Sequence, residues 1–179
     1  MDLLGHLQRM ARNNLWSNER LYRAVLKLEP GEFEAERTSF FPSICETLNH
    51  VLLVDLFYSD MLQERGVGRA VGTRFKPCLD AGELAEAQAQ FNRRLVAFCG
   101  GLIADDLDRR VATDRGEAGI VPERIGDLVA HLFLHDIHHR GQVHAMFSGT
   151  SIDPPQLDEF LLDSDLRFRR EEISRLALE

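Results

Sequence analysis

Apolar positions recur at helical spacing through most of the chain. From Leu3 to Lys27, residues Leu7, Met10, Ala11, Leu15, Leu21, Tyr22 and Val25 form one stripe, and no Gly or Pro interrupts it between Gly5 and Pro30. A first helix is expected there. Pro42 then precedes Ser43-Ile-Cys-Glu46, an S-x-x-E capping box that opens a second helix running to about Glu64. Its interior, Thr47 to Leu62, is apolar on most sides, as in a helix buried on more than one face. Residues 65–79 read as a loop. Asp80-Ala-Gly-Glu83 repeats the cap logic for a third helix ending at Gly100 and Gly101. Residues 108–121 suit either a short hairpin or a loop. Pro122 is placed as a first helical residue, with helix from Glu123 to Ser148 and Gly149 as its stop. Beyond Pro154-Pro155, a short helical run is expected at Leu157–Leu162. The charged tail, residues 163–179, can be helical but carries little core-forming pattern.

Four long helices joined by unequal loops predict an all-α four-helix bundle with a long crossover and short extra helix or hairpin elements. The 179 residues suit one domain spanning 1–179. With 44% apolar and 28% charged residues, the chain has the balance of a folded globule. No apolar run approaches the ~18–20 residues of a membrane span, and the N-terminus lacks a basic stretch followed by an apolar block. A soluble cytoplasmic protein is expected. A net charge of −8 argues against a nucleic-acid partner. Cys45, Cys78 and Cys99 are odd in number and far apart, so reduced thiols are expected rather than disulfides or a cysteine zinc site.

Histidine is the uneven feature. Five of seven fall within residues 131–144. On a helix advancing ~100° per residue, His131, His135, His138, His139 and Gln142 share one sector, whereas His144 points away. His135 and His139, at i and i+4, have the spacing that aims two imidazoles at one divalent ion. A further ligand must come from elsewhere, and His50 in the second helix is the candidate. Taken alone, a solitary buried histidine such as His50 is more often a hydrogen-bonded core residue than a ligand.

These residues resemble a family. His135-Asp-Ile-His-His139-Arg-Gly-Gln142 is similar to the H-x-x-H-H-R-G-Q signature of the DinB/YfiT-like family, whose members are read as metal-dependent enzymes, and His131 sits where an earlier histidine is often found. Asn14-Leu-Trp16-Ser-Asn18-Glu-Arg-Leu-Tyr22 resembles the family's first-helix motif, with Asn13 in place of Tyr. Phe41-Pro-Ser-Ile-Cys-Glu-Thr-Leu-Asn-His50, with Asp55 after it, resembles its second-helix segment. Leu134 and Asp136 depart from the expected Asn and Gln. The resemblance implies a bundle of up-down-down-up order, with His50, His135 and His139 as three metal ligands and open positions besides. Zinc or nickel is implied first, then iron or manganese, since neutral imidazole accepts several ions. An open site would supply hydroxide or thiolate near neutral pH.

Other roles are left as pairs of alternatives. Gln142 orients a ligand or touches substrate, or is a surface amide. His138 is a base or acid beside the metal, or bonds a backbone carbonyl. Arg140 is a surface ion-pairing residue or an anion binder. Asp55, ~140° round the helix from His50, is assigned to packing against another helix near Asn14 or Asn18, and Trp16 to a core or interface aromatic. His6 is taken as incidental. The resemblance implies a small-molecule substrate, a low-molecular-weight thiol among the options, and a homodimer. The activity is then metal-dependent hydrolysis or thiol-dependent S-transfer. The alternative is a non-enzymatic, stress-related dimeric module with a structural metal site.

Overall fold

The computed structural model describes residues 2–66 and 68–178. Val67 of the expected loop and Glu179 of the expected tail lie outside them, as does Met1. Among the described residues there are six α-helices: α1 (Leu3–Val25), α2 (Ile44–Leu62), α3 (Arg69–Arg74), α4 (Ala81–Gly101), α5 (Ile125–Phe147) and α6 (Leu166–Leu176). One antiparallel pair joins them, β1 (Arg110–Asp114) and β2 (Ile120–Arg124). None of the helices is long and apolar enough to cross a membrane.

The expected start signals operate. Ser43 and Asp80 each accept a backbone N–H three residues on, at 3.1 and 2.9 Å, and open α2 and α4; Asp2, which was not expected as a cap, opens α1 in the same way at 2.7 Å. Glu46 stays exposed, so only the Ser43 half of the reciprocal cap is made among the described residues. The four long helices pack α1 on α4 and α5, and α2 on α5 and α4. Between them lies an apolar core in which Leu21, Ile44, Met61, Leu84, Leu132 and Phe147 are at most 1% exposed. Each such side chain contributes roughly 1.5–3 kcal/mol on burial.

Four expectations need correction. The 65–79 loop contains α3. It begins at Gly68, where φ is +90° and a Cβ would sit 2.4 Å from the Phe57 ring, so glycine alone fits. Residues 108–121 resolve as the hairpin, and Pro122 is a strand residue opposite Ala112 rather than a helix start. Proline is tolerated there because an edge strand needs no donor on its open side, and α5 begins at Ile125, whose N–H bonds the Arg109 carbonyl at 2.9 Å.

Leu157–Leu162 forms no helix. Side chains of α1 take carbonyls in and beside it instead: Arg20 donates to Gln156 O at 2.9 Å, Ser17 to Leu157 O at 3.2 Å and Arg9 to Leu161 O at 2.8 Å. The tail, finally, does build a core. Leu15, Trp16, Phe160 and Leu178 form a second buried cluster, and Glu172 on α6 accepts from Trp16 Nε1 and Arg20 Nε, each at 2.7 Å.

Candidate metal centre

His50 comes from α2, and His135 and His139 from consecutive turns of α5, the helix against which α2 packs. One potential ligand nitrogen from each lies within 4.8 Å of the others. The Nε2 atoms of His50 and His135 are 3.1 Å apart. Two nitrogens bound to one ion at about 2.0–2.1 Å would be about 2.8–3.4 Å apart, depending on the bond angle. The three residues fit a divalent ion in donor type and spacing.

Their protonation suits the same purpose. Burial, with the neighbouring His139 and His135 rings, pulls His50 down to about 4. Burial also lowers His139, against the hydrogen bond to Gln142, which raises it. His139 Nδ1–H donates to Gln142 Oε1 at 2.8 Å, which leaves its Nε2 with the lone pair. Gln142 in turn donates its amide to His138 Nε2 at 3.2 Å, and His138 is exposed. His131 is drawn elsewhere, its ring 5.6 Å from that of Tyr58. His144 lines a separate cleft with Asn13 and Ile137.

Phe41 covers the centre. Its ring stacks on His50 at 4.4 Å and leans on His139 at 5.7 Å. The loop carrying it is pinched shut where Arg37 N–H bonds Pro42 O at 2.6 Å. Among the described residues, clefts of 430–560 Å³ are lined by residues other than these three histidines. Burial pushes Cys99 up to about 12, and burial also raises Cys45 and Cys78, so none of the three thiols is a ready thiolate.

Beneath the histidines sits a buried polar cluster fed by all four long helices: Asn14 and Asn18 from α1, Asp55 from α2, Gln88 and Asn92 from α4, and Asp136 and Arg140 from α5. Asn14 donates to Asp136 Oδ2 at 2.6 Å, Asn18 to Asn92 at 3.2 Å and Gln88 to Asp55 at 2.6 Å. Arg140 donates to Asn14 Oδ1 and, at 3.1 Å, to Asn18 Oδ1, and its Nη1 lies 4.0 Å from Asp136 Oδ2. Arg140 is therefore not a surface residue, and Asp55 bonds Gln88 rather than Asn14 or Asn18. Burial, followed by the Asp136 charge, drives Asp55 well above the usual carboxylate range. Asp55 is thereby pushed toward its neutral form, and Arg140 brings the cluster's guanidinium to the Asp136 side. Sequence reasoning missed this cluster. Its signal was present as three polar pairs at i, i+4 spacing, 14/18, 88/92 and 136/140.

The DinB family model matches residues 4–167. Protein DinB of Bacillus subtilis (strain 168) is 26% identical over 138 residues, 74% of this chain and 79% of that protein. The crystal structure of a DinB-like protein from Bacillus subtilis superposes with a TM-score of 0.58 at 17% identity, over 78% of this chain and 90% of that one, a likeness of fold.

Proposed function

From its membership of the DinB family, matched over residues 4–167, we propose that this chain is one domain, a four-helix bundle of up-down-down-up order binding one divalent metal ion through His50, His135 and His139. The convergence of three imidazole nitrogens within 4.8 Å carries this reading. Zinc or nickel is the expected ion, with iron or manganese as alternatives the same ligands accept.

Three neutral ligands leave positions open on an ion, and an ion so held lowers the pKa of water or a thiol, which supports metal-dependent hydrolysis or thiol-dependent S-transfer. The chain's residues divide the remaining work. Gln142 holds His139 in its Nδ1–H form, and exposed His138 beyond it, its Nε2 accepting from Gln142, is left to exchange a proton at its Nδ1. With all three cysteines pushed up in pKa, a thiol substrate comes from a small molecule. A homodimer in the cytoplasm is the expected setting.

One observation favours a second reading. Phe41 stacks on His50, and the large clefts lie elsewhere, as in a non-enzymatic, stress-related dimeric module with a structural metal site. A screen of low-molecular-weight thiols with electrophiles, and of esters, on tag-free protein separates the two. Metal-dependent turnover abolished by His139→Ala in a folded variant supports the enzyme. No turnover, together with a large melting loss in the triple variant His50→Ala, His135→Ala, His139→Ala, supports the structural site.

A further inference from the structure

His135 has two ring nitrogens with different fates. Its Nε2 faces His50 at 3.1 Å. Among the described residues its Nδ1 is buried without a hydrogen-bond partner, and so is Oδ1 of the adjacent Asp136. These two orphaned atoms lie 3.6 Å apart. A buried donor and a buried acceptor each cost free energy while unmade, and a closure of about 0.5 Å would bring them to ordinary hydrogen-bond length.

Asp136 is held from several sides, and the Asp55 carboxyl also faces it. It is 0% exposed, and its other oxygen accepts from Asn14 at 2.6 Å with Arg140 beyond at 4.0 Å. Arg140 is itself fixed by donating to Asn14 and Asn18. The carboxylate therefore has one oxygen anchored to α1 and the other presented to the back of His135.

We propose that Asp136 is a positioning residue. Its Oδ1 accepts the Nδ1–H of His135, which fixes the tautomer whose Nε2 lone pair points into the histidine trio, and the Asn14–Asn18–Arg140 cluster keeps the carboxylate in place. The role rests on the metal reading above. A histidine ligand that donates its second N–H to a carboxylate is held in orientation and made more basic, and losing such a partner typically costs 10–100-fold in metal affinity.

Asp136→Asn tests it with two readouts. Zinc affinity, measured at pH 7 by competition with a chromophoric chelator, is expected to fall 10–100-fold. In metal-free, histidine-labelled wild type, long-range ¹⁵N–¹H NMR is expected to find His135 as the Nδ1–H tautomer, and in the variant a mixture of tautomers. The wild-type spectrum decides even where the variant fails to fold: an Nε2–H tautomer there overturns the proposal. Zinc affinity in a folded variant within about threefold of wild type also overturns it, while leaving the three-histidine site standing. A wild type that binds no zinc, nickel, iron or manganese overturns the metal reading, and this role falls with it.

Discussion

Arg140→Met removes the one cation of the buried polar cluster while keeping a long apolar stem in its place. The guanidinium is 5% exposed, bonds the side-chain oxygens of Asn14 and Asn18, and faces Asp136. Its loss leaves a fully buried carboxylate without its charge partner and two amide oxygens without that donor. Breaking one partner out of a buried pair costs about 3–5 kcal/mol. For a chain of this length each kcal/mol corresponds to ~2–4 °C, so the melting temperature is expected to drop by ~6–20 °C. Calorimetry and urea unfolding at pH 7 measure both quantities. The double variant Arg140→Met, Asp136→Asn, which also neutralises the stranded charge, is expected to recover part of the loss through a coupling of about 0.5–3 kcal/mol. A single-variant cost below about 1 kcal/mol, the range of exposed ion pairs, or strictly additive costs would refute the reading of these residues as one charge-balanced cluster.

Two further outcomes follow from the same geometry. Glu172→Gln weakens three contacts that dock α6 on α1, those from Trp16, Arg20 and Arg23. Faster proteolytic cleavage within residues 159–165 is expected, with a stability loss of about 1–2 kcal/mol, and an unchanged cleavage rate would count against the docking. Cys99, held up to about 12 against an ordinary value of 9.0 by its burial, favours folding fully below pH 9 and loses that contribution as pH rises from 9 toward 12. Alkylation of the folded protein at pH 8 is therefore expected to spare Cys99 while half-exposed Cys78 reacts, and mass spectrometry of the peptides reads the difference.

What the sequence made legible, and what it hid, divides along local and non-local physics. Ser43 and Asp80 announce their helices because a cap is satisfied within three residues. His135 and His139 were visible because helix geometry alone brings them together, and His50 because few polar residues share its apolar helix. The missed features all depend on distant partners. Leu157–Leu162 has a helical pattern, yet Arg9, Ser17 and Arg20 of α1 occupy carbonyls in and beside that run. The tail looked too polar to dock until Leu178 joined Trp16 in a buried cluster and Glu172 accepted from Trp16 Nε1 at 2.7 Å. Asp136 stood out only as a departure from the family's expected Gln. Its meaning emerges where Asn14 and Arg140 converge on it from two helices.

The central claim is that His50, His135 and His139 hold one divalent ion, and metal stoichiometry tests it most directly. Elemental analysis and native mass spectrometry of tag-free protein, after incubation with zinc or nickel and exhaustive desalting, count ions per chain. One ion per chain is predicted for wild type, with loss of that ion in folded His50→Ala, His135→Ala and His139→Ala variants. Wild type with no bound ion, or a triple variant that keeps one, would contradict the account.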